Sequence, residues 1–258
     1  MCLVALSIEK AKDWKGKEAY FYTIIANRDE YHERPTGQMH WWADKEIIAG
    51  KDNEAGGAWL GFSKGGRFAA LTNYKENTNQ EFKLSRGLLV TQFLESNLSS
   101  KAYLESLDIE NYAGFNLIVG DMTGLFYFCN RSEGIYFMPE GVHALGNLTL
   151  NADSPKIASV VRDLQELSLS KFDIDSALRM MRKEQGRLHE KTKIELKPKE
   201  ATEIPYRFIK SNIYGTRCTT ICRTLPSGDI DVCEQTYLED GVKGSKKEFT
   251  FNIKNIIP

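Results

Sequence analysis

The hydrophobic pattern of the first third of the chain is that of short strands. Residues 2–8 are apolar and β-capable, and residues 20–27 are rich in aromatic and β-branched side chains. A polar link over 9–19, containing Gly16, separates them, which predicts a hairpin. Further strands are expected over 46–49, 58–63 and 67–73, divided by the Gly56-Gly57 and Gly65-Gly66 turns. From residue 85 the period changes: Leu88, Leu89, Phe93 and Leu94 recur at helical spacing with Ser85 as N-cap, and 101–107 reads as a second helix. Strand patterns return over 115–120, 125–130 and 134–138. Residues 153–170 and 173–187 then read as amphipathic helices, the first opened by Asp153, Ser154 and Pro155. A polar, lysine-rich crossing that includes 191–199 leads to three closing strands over 217–224, 230–238 and 247–253.

This order of strands, helices, strands, helices, strands lacks the βαβ alternation of a doubly wound parallel sheet. It predicts an α+β protein of largely antiparallel sheets covered by helices. Neither a repeat nor a compositional break divides the chain, so one domain over 1–258 is expected.

Composition narrows the class of function. With 34 basic and 35 acidic residues the net charge is −1, so no global field draws in nucleic acid or an anionic membrane, and neither is expected as a partner. The apolar stretch 1–8 is too short for a signal-peptide core, and no run reaches the ~20 apolar residues of a membrane helix. Five cysteines, an odd count without a C-x-x-C pair, argue against a disulfide framework or a zinc site. A cytoplasmic protein is the expectation.

Two features carry candidate chemistry. Cys2 acquires a free α-amine if Met1 is removed, and that amine, with an ordinary pKa of roughly 8, then serves as base for its own thiol. A retained Met1 makes the base an amide. Asn27-Arg28-Asp29-Glu30 follows the second strand; alternation there points Asn27 and Asp29 to one face, Arg28 and Glu30 to the other. An arginine beside two carboxylates can hold a planar anion or tune a nucleophile. Each feature also has an ordinary reading, as a small residue opening a strand and as a solvated turn. Trp41, Trp42 and Trp59 are candidates to line a pocket for a flat ligand or to anchor the core. Gly56-Gly57 lacks the Lys-Ser/Thr of a phosphate loop. Cys129, Cys218, Cys222 and Cys233 read as buried fillers.

The motifs also occur in a telling order. Cys2 is followed by Ala26-Asn27-Arg28-Asp29-Glu30, Arg34-Pro35-Thr36, Trp41-Trp42, Ala49-Gly50-Lys51-Asp52 and Gly56-Gly57-Ala58-Trp59-Leu60-Gly61. The segment 67–74, Ser85-Arg86-Gly87 and Tyr214-Gly215-Thr216-Arg217 complete the set. Together they resemble the NRDE family, also called the transport and Golgi organisation protein 2 family. That resemblance implies a four-layer αββα sandwich like the N-terminal-nucleophile hydrolases, and a more distant likeness to the cholylglycine hydrolases. By that likeness Cys2 is a nucleophile, Arg28 lowers its pKa, Asp29 orients the amine, and Asn73 and Asn147 (with Asn151 as competitor) donate to an oxyanion. Arg217 braces the nucleophile or binds substrate.

The family itself implies something else: intracellular carriage of haem or another hydrophobic small molecule such as an acyl-coenzyme A or lipid. On this reading Asn27, Glu30, Trp41, Trp42, Trp59 and Arg217 line the ligand site. No cofactor is required and haem is cargo, with Cys2, His32, His40 and His143 as candidate ligands. Carriage ranks first at this level, hydrolysis of linear amide C–N bonds second, and a catalytically silent interaction module third. No protein partner is indicated.

Overall fold

The computed structural model describes residues 2–76, 80, 82–169, 172–183 and 207–255. In chain order the elements are β1 (Cys2–Lys12), β2 (Glu18–Tyr31), β3 (Thr36–Trp42), β4 (Ile47–Asp52), β5 (Leu60–Ser63), β6 (Phe68–Asn73), α1 (Gly87–Glu95) and α2 (Ser100–Glu105). They continue as β7 (Phe115–Asp121), β8 (Gly124–Cys129), β9 (Ile135–Phe137), β10 (Gly141–Leu145), α3 (Pro155–Ser168), α4 (Ile174–Met181), β11 (Tyr214–Thr224), β12 (Asp229–Tyr237) and β13 (Lys243–Asn252). One antiparallel sheet runs β10-β1-β2-β11-β12-β13, and the other is a sequential meander from β3 to β9.

Both sheets are covered on both faces, which explains why their strands read as continuous apolar runs. In β1, Val4, Leu6 and Ile8 enter the core between the sheets, while Leu3 and Ala5 face α3 and α4. In β6, Phe68 and Ala70 enter the same central core, while Ala69 and Leu71 meet α1 and α2. Each fully buried Val, Leu, Ile or Phe side chain among these contributes about 1.5–3 kcal/mol. The result is the αββα sandwich that the resemblance implied. Ser154 caps α3 by accepting from the Ile157 N–H at 3.3 Å, and Asp173 caps α4 by accepting from Ser176 N–H at 2.8 Å. Ile157, Val160, Leu164, Ala177, Leu178 and Met181 form their apolar stripe.

Several expectations are corrected. Asn27-Arg28-Asp29-Glu30 is not a solvated turn after the strand: it forms the last part of β2, which continues to Tyr31 between β1 and β11. Strand β3 was missing from the pattern because its register shifts between Gly37 and His40, which breaks the alternation. Five-residue β10 was missing too, and it pairs along β1 from Leu145 to Gly141. The N-cap of α1 is Arg86, not Ser85, and Ser85 Oγ accepts instead from Gly87 N–H at 3.3 Å. Met1, Ser170, the expected helix beyond residue 183 and the crossing 191–199 lie outside the described residues.

Candidate functional site

Strand register places the first two candidate residues side by side: Cys2 pairs with Arg28 across β1 and β2. The Asp29 backbone N–H reaches the Cys2 sulfur, and Cys2, a half-buried residue, lines a cleft of about 140 Å³. Alternation along β2 then separates the tetrapeptide as expected. Arg28 points between the sheets, donating to Thr36 Oγ1 at 3.0 Å and lying 3.6 Å from Asp52 and 3.9 Å from Glu30. Its guanidinium stacks on Trp59, 4.5 Å from the ring centroid. Trp59 is held there because residue 50 is glycine: a Cβ on Gly50 would come within 2.2 Å of the indole.

On the opposite face of β2, Asp29 is buried and accepts from Thr216 Oγ1 at 2.6 Å, while its carbonyl accepts from the Tyr214 hydroxyl at 3.0 Å. Asn27 shares this face but stands apart from the cleft. Its amide donates to the carbonyls of Arg207 at 2.7 Å and Met181 at 3.2 Å, and its oxygen accepts from Thr219 at 2.6 Å. Asn27 is therefore a tie between the sheet and the helical layer, not a ligand residue.

The Arg28 guanidinium acts on the Cys2 thiol in the expected direction, but it does not set the outcome. Burial pushes the Cys2 thiol up, and the Arg28 guanidinium offsets this only in part. A raised thiol pKa disfavours the thiolate, so a base must take the proton during any attack. Burial also raises the Asp29 carboxyl, against opposing hydrogen bonding from Thr216 and the charges of Lys156 and Arg28.

The two asparagines divide. Asn73, at the end of β6, lines the cleft, and its side-chain amide makes no hydrogen bond among the described residues. Buried Asn147 does not reach the cleft; its Nδ2 donates to the Asn73 carbonyl at 2.8 Å, which fixes the segment carrying Asn73. Asn151, the competitor, is turned away to Ala144 N–H and His143.

Arg217 is displaced by a bulge: the β11–β2 register shifts between Thr216 and Cys218. Its Nη1 donates to the carbonyls of Tyr31 at 2.7 Å and of His32 and Arg34 at 3.2 Å each. It braces the 31–34 loop and does not line the Cys2 cleft. Trp41 and Trp42 do not line it either. Trp41 packs edge-on against Phe251 at 5.0 Å, and Trp42 is buried, donating to the Ala49 carbonyl at 3.2 Å.

The cleft also contains residues to which the sequence gave no chemical role: Arg34, Asp52, Arg86 and Ser85, the last read only as a helix cap. The signal was present, since all four belong to the ordered motifs. Arg34 binds Asp52 and Glu54 at 2.8 Å each, and Asp52 caps the turn that follows by accepting from the Glu54 and Ala55 N–H groups.

Among the described residues no group of three His, Cys, Asp or Glu side chains is arranged to hold a metal ion. His143 is engaged at both ring nitrogens and His40 at Nδ1. His32 lines a separate cavity of about 450 Å³ together with Arg217, Tyr237, Leu238, Glu239 and Val242. No helix among the described residues is long and apolar enough to cross a membrane.

Comparison with known proteins agrees with this architecture. The sequence model of the family Transport and Golgi organisation 2 matches residues 1–239. The chain is 35% identical over 170 residues to the Transport and Golgi organization protein 2 homologs of Bos taurus and Homo sapiens. The match spans 61% of this chain and 60% of the length of those relatives. Penicillin V acylase from Agrobacterium tumefaciens superposes with a TM-score of 0.50 at 10% identity, covering 97% of this chain and 86% of that one. That likeness, with the two antiparallel sheets between helical layers, makes the fold N-terminal-nucleophile-hydrolase-like. With the family match running through nearly its whole length, the chain belongs to the Transport and Golgi organisation 2 family.

Proposed function

We propose that this protein is a cysteine-dependent hydrolase of linear amide C–N bonds, acting through Cys2. The observation that carries the reading is the shared cleft: Cys2 and Asn73, whose side-chain amide has no hydrogen-bond partner among the described residues, line one small, polar space. Once the bond preceding Cys2 is cleaved, its α-amine takes the thiol proton and the sulfur attacks the amide carbonyl carbon. Asn73 donates to the resulting oxyanion, a contribution of about 3 kcal/mol in comparable sites. Collapse breaks the C–N bond, and the amine leaves with the proton returned by the α-amine. A water deprotonated by the same amine then attacks the thioester, releasing the acid and restoring the thiol. Arg28 and Asp29 fix the strand and the charge around these steps. The fold shared with penicillin V acylase supports the reading.

Carriage of a hydrophobic small molecule is the second reading. The family's name favours it, and so does the roomier cavity, where His32, Tyr237 and Arg217 meet exposed Leu238 and Val242. A haem or acyl chain fits that space better than the 140 Å³ at Cys2, well below the roughly 300 Å³ at which ligand pockets begin.

One experiment separates the two. Native protein is assayed against an amide library beside Cys2→Ala, with the N-terminus read by intact mass. Turnover by a species beginning at Cys2, lost in Cys2→Ala, is the expected result. Turnover unchanged in Cys2→Ala, or full activity with Met1 retained, sinks the hydrolase. A saturable Soret shift on haem titration, lost on substitution of His32, supports carriage.

A further inference from the structure

The arginines of the Cys2 cleft are not equally neutralised. Arg28 faces Asp52 and Glu30, and Arg34 is bound by Asp52 and Glu54. Arg86 forms no ion pair among the described residues; its Nη1 donates to the Gly114 carbonyl at 3.0 Å. Glu76, the carboxylate acting on it most strongly, is already occupied by Arg131 at 2.6 and 3.3 Å and by the Gly114 N–H at 2.5 Å. Burial lowers the Arg86 pKa, the mark of a cation whose solvation has been removed without a full replacement. Uncompensated enclosed charge is costly, and the usual compensation is an opposite charge with hydrogen bonds.

Its neighbour adds a second unfilled group. Ser85 Oγ accepts from the Gly87 N–H, and no acceptor for its own proton is found among the described residues. Both residues are tied to the first turn of α1, since the Ser85 carbonyl accepts from the Leu88 N–H at 3.1 Å and the Arg86 carbonyl from the Leu89 N–H at 3.0 Å. A guanidinium in no ion pair and a hydroxyl proton without an acceptor, both among the described residues, thus line the same cleft as Cys2.

We propose that Arg86, with Ser85, binds an anionic group of the substrate, so that the amides cleaved carry a carboxylate or phosphate close to the scissile bond. This rests on the Cys2 reading above and specifies its substrate class. The cleft volume of about 140 Å³ equals that of roughly five water molecules. It accommodates the amide group and a compact anion, leaving the remainder of the substrate outside. Arg86 acts on binding and on placing the carbonyl at sulfur.

Iodoacetate and iodoacetamide test this without requiring turnover, because they are nearly isosteric and differ in charge. Full-length native protein is treated with each, and the rate of Cys2 alkylation is followed by peptide mass spectrometry. The ratio of iodoacetate to iodoacetamide rates is expected to fall about tenfold in Arg86→Gln and to be largely kept in Arg86→Lys. Inorganic phosphate is expected to slow labelling of the wild type. An unchanged ratio in folded Arg86→Gln overturns the anion site and leaves Cys2 as nucleophile. Should Arg86→Gln not fold, absence of phosphate protection in the wild type overturns it equally. Charge-selective labelling without amide turnover keeps the anion site and sinks the hydrolysis. Failure of both reagents to label Cys2 overturns both readings, and failure of iodoacetate alone overturns the anion site.

Discussion

Asn73 and Asn147 lie one hydrogen bond apart and do different work. Asn73 presents an unengaged amide to the cleft, whereas Asn147 spends its Nδ2 on the Asn73 carbonyl and receives the Lys75 N–H at its own carbonyl. Asn73→Ala is therefore expected to lower amide turnover about 100-fold with little change in thermal midpoint. Asn147→Ala is expected to cost about 1–2 kcal/mol of stability, with a smaller loss of turnover through a displaced Asn73. Steady-state kinetics and urea unfolding on both variants check this, and equal losses in both measurements would contradict the division. At this scale the sequence made residue types legible and left directions hidden. Cys2, Arg28, Asp29 and Asn73 meet in one cleft, but nothing in the pattern shows that Asn27 faces helices or that Arg217 sits on a bulge. The net rise of the Cys2 pKa was equally hidden, because it depends on how much water the fold removes rather than on the identity of a neighbour.

At the scale of elements, the site is set by how α1 enters the sandwich. Gly57 lies against the backbone of Gly87, where a Cβ would approach within 2.4 Å of the Gly87 carbonyl carbon. The Gly56-Gly57 turn was legible as a turn, yet its role is contact: it lets the first residue of α1 pack beside β5 and brings Ser85 and Arg86 to the cleft. No flexible side chain can yield there, so backbone must move. Gly57→Ala is expected to destabilise the protein by about 1–3 kcal/mol and to weaken iodoacetate selectivity at Cys2. Gly16→Ala provides the contrast, since its left-handed φ of 74° makes it strained while no atom lies within 4 Å of a Cβ there. It should lose stability without altering the cleft. Differential unfolding and labelling of the pair test this, and unaltered cleft selectivity in Gly57→Ala would refute the link. Strands with apolar runs and helices with good caps were read correctly from the pattern. Strand β3 was not, because its bulge breaks the period and three of its first residues are Gly37, Gln38 and His40-flanking Met39.

Across the whole molecule, apolar packing and polar ties join the two sheets, among them the buried carboxylate of Glu234 beside the Arg28–Thr36 bond. Glu234 of β12 is 1% exposed, accepts from the Met39 N–H of β3 at 2.7 Å, and accepts from Thr220 Oγ1 at 3.2 Å. The layered order was legible because period-two strands need cover on each apolar face; this polar tie was not, since a lone glutamate in a strand reads as solvent-facing. Burial raises the Glu234 carboxyl, outweighing its hydrogen bonds and the opposing charge of Arg28. Between the unfolded value of about 4.3 and the raised folded value, the native state binds more protons than the unfolded state. Stability contributed by this group is therefore full below that window and declines as pH rises through it. Asp52 and Asp163, both lowered in the fold, have the opposite slope and act at lower pH, as their pairs with Arg34 and Arg207 are lost on acidification. Gln at position 234 can accept from Met39 N–H and donate to Thr220 without titrating. Glu234→Gln should match the wild type near pH 4 and become the more stable protein as pH rises toward 8, measured as urea midpoints at each pH. Parallel wild-type and variant profiles across that range would show that the buried carboxylate does not couple the sheets to pH.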